Sequence, residues 1–115
     1  MICIKDKAIL YSLLEVEYDK ILIDIISWLA GEYPEQVVFT CGYRADDKGV
    51  HGTVPCRAVD IRSWTFKSPS RLCNYINYVW EYDIERPEKK VAIYHDAGSG
   101  LHIHLQCCSR TRKRR

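Results

Sequence analysis

The segment LHIHLQC, residues 101–107, carries two histidines two positions apart. Its polar and apolar residues alternate, which is typical of a β-strand, so His102 and His104 would share one face. The other histidines, His51 and His95, and the carboxylate of Asp60 lie in or beside further predicted strands. If the last two strands form a hairpin next to the strand that carries Asp60, these groups meet at one end of one sheet.

A cluster of histidines and a carboxylate is a ligand set for zinc. Three protein ligands leave a fourth position for water, as catalytic zinc requires. A structural interpretation stays open, because a histidine on a sheet face is often only hydrogen-bonded. Asp60 could likewise pair with Arg62 or Arg57. An HxH tripeptide alone does not choose between these alternatives.

The elements that would position these residues follow from apolar spacing. Helical periodicity runs from about residue 7 to 31, and a second helix begins at Ser68-Pro69 and continues to about residue 82. Strand patterns cover residues 37–44, 57–62, 90–94 and 101–107, with a glycine-containing turn at 95–100. This order predicts an α+β domain in which helices pack on a small, mainly antiparallel sheet.

Length and charge indicate one domain with an appendage. Residues 1–108 are predicted to form a single domain. Residues 109–115 are a basic tail that contains five of the 17 Lys and Arg residues. The rest of the chain has 12 basic and 15 acidic residues, about −3 in sum. That balance argues against dedicated nucleic-acid binding. The tail is predicted to be a solvated, disordered end, with attraction to anionic cell-wall polymers or the outer-membrane surface as the functional alternative.

Cysteine spacing and the N-terminal sequence bear on the compartment. The six cysteines form no CxxC pair, and the first residues have neither a basic n-region nor a small-residue cleavage site. We expect reduced thiols, synthesis in the cytoplasm without a signal peptide, and no membrane span.

Three motifs occur in a characteristic order: TCGYR at 40–44, HGTVPCRAVDIR at 51–62 and LHIHLQ at 101–106. Together they resemble the LAS-type zinc peptidases, which include D-alanyl-D-alanine carboxypeptidases, L-alanyl-D-glutamate endopeptidase endolysins of phages, and the hedgehog domain of the same fold. The resemblance covers residues 37–106. It implies a hedgehog/DD-peptidase-like fold and one bound Zn²⁺ ion.

The resemblance assigns roles to individual residues. His51, Asp60 and His104 match the zinc ligands, and His102 matches a histidine that can hydrogen-bond the oxyanion of the transition state. Arg44 matches an arginine that engages substrate or the developing negative charge, which a fixed guanidinium can stabilise. Trp64, just beyond the Asp60 strand, could line a substrate cleft.

Two departures from the family pattern matter. Eight residues separate His51 from Asp60, two more than is usual, so the segment around residues 53–55 must loop out. The glutamate that serves many relatives as general base is missing. Asp96 is the nearest carboxylate and our candidate for that base, with turn capping as its alternative role. Cys56 could in principle replace Asp60 as a ligand, but the family pattern favours Asp60.

The resemblance therefore predicts a zinc metallopeptidase that hydrolyses stem or cross-link peptides of peptidoglycan. We separately expect a monomer. The peptidase would be a DD-carboxypeptidase or an endolysin-type endopeptidase, and its size fits a phage-encoded protein that reaches the cell wall after release or with a helper. The alternative is a catalytically inactive, zinc-containing binding module of the same fold. A nucleic-acid-associated protein, a third interpretation, rests on the tail alone.

Overall fold

The computed structural model describes residues 1–96, 98 and 100–115. Within them the chain forms three α-helices, a short 3-10 helix at Val50–Gly52 and seven strands. The helices are α1 (Lys7–Glu15), α2 (Lys20–Glu32) and α3 (Pro69–Val79). The strands are β1 (Ile2–Ile4), β2 (Val37–Cys41), β3 (Ala58–Arg62), β4 (Trp80–Glu81), β5 (Ala92–Asp96), β6 (Leu101–Gln106) and β7 (Arg112–Lys113).

The main sheet has five strands in the order β1-β2-β3-β6-β5. β1 runs parallel to β2, and every other neighbouring pair is antiparallel. The prediction of an α+β chain with a mainly antiparallel sheet is confirmed, and so is the hairpin of the last two predicted strands beside the Asp60 strand. The likeness to the hedgehog and DD-peptidase fold stays a prediction.

The two faces of the sheet differ in chemistry. Val59, Ile61, Ile103 and Leu105 are at most 1% exposed and join a core with side chains of α2 and α3. Burying one such side chain contributes about 1.5–3 kcal/mol. Because strand residues alternate, Asp60 and the histidines of β6 project from the opposite face. The fold is therefore held together on one side of the sheet, and the other side is left for polar groups.

The single helix predicted for residues 7–31 is in fact two helices. Asp6 caps α1 by accepting from the Ile9 N–H, and Asp19 caps α2 by accepting from the Ile21 N–H. Between them Tyr18 forms a β-bridge with Cys56, a tertiary contact that helical periodicity does not reveal. No helix among the described residues is both long and apolar enough to cross a bilayer.

The prediction of a disordered tail is wrong, although every residue of the tail except Thr111 is exposed. β7 pairs with β4, and the Thr111 side chain is buried and donates to the Tyr82 carbonyl at 2.8 Å. Arg112 and Arg114 both contact the carboxylate of Glu81. Formation of β4 also ends α3 at Val79, three residues before the predicted end.

Candidate metal centre

Strand register brings the polar groups of three strands together. Asp60 of β3 is paired with His104 of β6 on one side and with Cys41 of β2 on the other. His102 is paired with His95 of β5 and with Arg62 of β3. Cross-strand partners share a face, so the alternation predicted for LHIHLQC does direct both its histidines toward Asp60.

His51 comes from outside the sheet. It lies in the 3-10 helix at Val50–Gly52, and its backbone carbonyl accepts from the Arg44 N–H at 2.9 Å. A side chain at Gly52 would begin 1.8 Å from the Asp47 carbonyl oxygen, so only glycine permits this turn. Val54 and Pro55 are exposed. The extra residues between His51 and Asp60 therefore loop out, as predicted.

A second glycine fixes the imidazole of His51. A Cβ at Gly42 would lie 2.5 Å from the Tyr18 hydroxyl. That hydroxyl accepts from the Tyr43 N–H at 2.7 Å and donates to the Ser12 carbonyl at 3.0 Å. The close approach leaves the Gly42 carbonyl facing His51, whose Nδ1 lies 2.9 Å away.

Three donor atoms converge in the buried space between these elements. Asp60 Oδ1 lies 3.0 Å from His104 Nδ1 and 3.2 Å from His51 Nε2, and the two nitrogens are 3.3 Å apart. All three residues are less than a tenth exposed. We call His51, Asp60 and His104 the ligand cluster.

Hydrogen bonds at the outer nitrogen of each histidine ring determine whether the inner nitrogen carries a proton or a lone pair. His51 Nδ1 faces a carbonyl and must carry a proton. His104 Nε2 lies 2.9 Å from Gln106 Oε1, and the Gln106 amide nitrogen donates to the Lys90 carbonyl. His104 Nε2 therefore also carries the proton. In the neutral tautomers, His51 Nε2, His104 Nδ1 and Asp60 Oδ1 all present lone pairs to one another, an arrangement that only a cation, either protons or a metal ion, can satisfy.

The charge of Asp60 follows from the same contacts. Burial raises the pKa of its carboxyl group, but hydrogen bonds from His104 and His51, which form when protons occupy the facing ring nitrogens, outweigh burial and hold the pKa well below its usual range. Asp60 is thus an anion at neutral pH, the form that ligates metal ions.

Cys41 also borders the cluster. Cys41, His51 and Asp60 form a group that could hold a metal ion, with one ligand atom of each within 4.8 Å of the others. Burial raises the pKa of the Cys41 thiol, and Asp60 raises it further. Sequence reasoning considered Cys56 instead, whose sulfur lies against the carbonyls of His51 and Ala58. The available signal for Cys41 was its position in the TCGYR motif.

An open cleft of about 390 Å³ leads to this centre. It is lined by four of the residues predicted from sequence, Arg44, Asp60, Trp64 and His102. His102 Nδ1 faces the Gly100 carbonyl at 3.0 Å, and Nε2 lies 3.6 Å from Asp60 Oδ2. Arg44 is half exposed and paired with Asp47 at 3.3 Å.

Asp96 lies apart from the cluster. It follows His95 directly, so strand alternation directs it to the other face. Its exposed carboxylate accepts from the backbone N–H groups of Gly98 and Gly100, which lower its pKa. This geometry matches the turn-capping alternative, and the general-base role stays a prediction. Residues 97 and 99 of the predicted turn lie outside the described residues.

His95 packs beside the cluster without joining it. Its ring centroid is 4.8 Å from that of His102 and 5.9 Å from that of His104. Burial, followed by these two neighbours, lowers the pKa of His95. His95 therefore borders the ligand cluster without belonging to it.

Comparison of the chain with protein-family models, with curated protein sequences and with solved structures found no match.

Proposed function

We propose that this chain is a zinc-dependent peptidase whose metal is held by His51, Asp60 and His104. One observation carries the proposal: three lone-pair atoms lie 3.0, 3.2 and 3.3 Å from one another. Bonds of about 2.0–2.1 Å to a tetrahedral zinc ion separate neighbouring ligand atoms by about 3.3 Å. The spacing therefore fits three corners of such a site, with the fourth corner left for water or substrate.

The outer hydrogen bonds support the same assignment. Histidines that bind metals usually donate their second ring N–H to a carbonyl or carboxylate, which fixes the tautomer. His51 does so to the Gly42 carbonyl and His104 to the side chain of Gln106. Each ring is thus oriented before a metal arrives.

The chemistry follows from the groups that border the cleft. A zinc ion in the ligand cluster would supply an activated water and a Lewis acid for a carbonyl group. Because His102 Nδ1 donates to the Gly100 carbonyl, Nε2 is the atom available to accept a proton from the attacking water and return it to the leaving amine. Protonated at Nε2, His102 would also donate to the oxyanion, together with the guanidinium of Arg44.

The substrate proposal rests on the order of the three motifs, which resembles that of peptidases acting on peptidoglycan. The open cleft beside the cluster suits an extended peptide rather than an enclosed small molecule. We propose a stem or cross-link peptide of peptidoglycan as the substrate, cut by addition of water across the scissile C–N bond.

The test combines metal analysis with peptide release. We expect the purified protein to contain one zinc per chain and to release peptides from purified peptidoglycan, and we expect His104→Ala to lose both. His95→Ala is the matched control, since it removes a histidine of the same sheet face and should keep the metal. Absence of zinc in the wild-type protein, or zinc retained by His104→Ala at full occupancy, would contradict the proposal.

One observation favours a second candidate function, a zinc-containing binding module. Cys41, His51 and Asp60 could together hold a metal ion, and cysteine is a common ligand of structural zinc sites. Zinc with no peptide release, together with loss of zinc in Cys41→Ser, would identify this module.

A further inference from the structure

Arg62 occupies a distinctive position beside the centre. It is the last residue of β3, on the same face as Asp60, and its cross-strand partner is His102. Its guanidinium carbon lies 4.6 Å from the ring centroid of Trp64. The indole is 73% exposed, so this large apolar side chain is held at the rim of the cleft and not in the core.

The guanidinium has no carboxylate partner among the described residues. In the part of the chain that the structure describes, ion pairs are formed by other arginines and by histidines with Asp60, and none includes Arg62. Its neighbour on β3, Asp60, is engaged by histidines instead. An arginine that stacks on an aromatic ring and lacks an anionic partner has its planar set of donors available.

The surrounding cleft carries further positive charge. Lys5 and Arg44 line it together with Arg62, against the single carboxylate of Asp60. Arg44 is paired with Asp47, whereas Lys5 and Arg62 have no ion pair among the described residues. A concave surface with an excess of one sign of charge attracts the opposite charge.

We propose that Arg62 binds a carboxylate of the substrate and makes the cleft selective for anionic peptides. This inference rests on the proposed peptidase function. Arg62 and Asp60 are two residues apart on one strand, about 6.6 Å from Cα to Cα, which is about two residues of an extended peptide. The recognised carboxylate therefore lies one or two residues from the scissile bond, and Trp64 is a positioning residue that holds the guanidinium toward it.

The experiment uses the as-purified protein and a synthetic stem pentapeptide that begins L-Ala-D-Glu. The peptide is prepared with all carboxyl groups free and, separately, with all of them converted to amides. Binding is followed by titration calorimetry, and release of fragments is measured in parallel. We expect the free acid to bind at least about tenfold more tightly, as a charge-assisted bidentate contact would require.

Four variants locate the effect. Arg62→Gln should abolish the preference for the free acid, and Arg62→Lys should keep a reduced preference, because lysine retains the charge without the planar fork. Trp64→Leu should weaken binding of the free acid alone. Arg71→Gln, which removes an exposed arginine outside the cleft, is the matched control and should keep the full preference.

The outcomes separate this inference from the proposed function. Equal affinity of the wild-type protein for both peptides, binding of neither, or a preference that survives Arg62→Gln would overturn the carboxylate site. If the preference is present and depends on Arg62 but no fragment is released, the carboxylate site stands and the peptidase proposal fails. If fragments are released from both peptides at equal rates, the peptidase proposal stands and the proposed selectivity for anionic peptides fails.

Discussion

Adjacent residues of β3 and β6 lie on opposite faces of the sheet and differ in their role. Ile61 and Ile103 are fully buried among helix side chains, whereas Asp60 and His104, their chain neighbours, hold the polar cluster on the other face. One face gains free energy from apolar burial. The other concentrates lone pairs that only a cation satisfies. We therefore expect substitutions one residue apart to affect either the stability of the fold or metal binding, but not both.

The largest expected effect comes from Asp60→Asn on the polar face. The amide has almost the same shape but no charge, and its NH₂ group can donate to a lone pair of His51 or His104. We expect zinc affinity to fall by more than the roughly 10- to 100-fold typical of losing an outer partner. Competition with a chromophoric chelator measures that affinity.

The same variant sharpens the comparison through its stability. The amide can satisfy one buried nitrogen, but the charge whose contacts lower the carboxyl pKa in the folded chain is lost. The metal-free Asp60→Asn protein should therefore unfold at a temperature slightly below that of the metal-free wild type. A large drop in the unfolding temperature would mean that the polar face also carries the fold, and the division between faces would be wrong.

Ile103→Ala tests the apolar face, one residue from His102 and His104. Loss of a fully buried isoleucine side chain should lower the free energy of unfolding by about 2–5 kcal/mol, as measured by urea denaturation. The folded protein should still bind one zinc ion. Leu101→Ala, at an exposed position of the same strand, is the control and should change stability little. Loss of zinc from folded Ile103→Ala would break the proposed separation.

Gln106→Met should produce a smaller effect that is confined to the polar face. Methionine fills a similar volume but cannot accept from His104 Nε2 or donate to the Lys90 carbonyl. With its outer partner gone, the His104 tautomer is no longer fixed, and zinc affinity should fall by about 10- to 100-fold. Gln36→Met changes a glutamine outside the cluster and should leave zinc affinity unaltered.

Sequence reasoning found what strand alternation controls. The faces of His102, His104 and Asp60 depend only on local period, and the structure pairs them as the pattern predicted. The looping of the segment after His51 was also predictable, because two extra residues must loop out if His51 and Asp60 are to reach one metal ion. These features are local, so one sequence contains the information.

The features that sequence reasoning missed depend on contacts between distant segments. Cys41 reaches the cluster through its register with Asp60, next to an irregularity in the pairing of β2 and β3. β7 exists because β4 and Glu81 lie beside it. The break between α1 and α2 did have a local signal, the capping residue Asp19, but the apolar spacing on both sides concealed it.

Asp96→Ala carries the smallest expected effect and decides between two roles for one carboxylate. Hydrogen bonds from Gly98 and Gly100 lower its pKa in the folded chain, so the ionised group stabilises the fold above its unfolded pKa, and this stabilisation is lost as the pH falls through the folded pKa. The variant should therefore unfold at a slightly lower temperature than the wild type at neutral pH, and the difference should vanish in acid.

Activity provides the second readout for Asp96. A turn cap on the far face of β5 should leave peptide release nearly unchanged in Asp96→Ala, whereas loss of a general base typically costs about 10²- to 10⁴-fold. Glu88→Ala, at another exposed carboxylate, controls for the change in surface charge. A drop in peptide release of that size, with zinc still bound, would assign the proton transfer to Asp96. A residue on the far face of the sheet would then take part in the reaction, and the proposed separation of the two faces would be wrong.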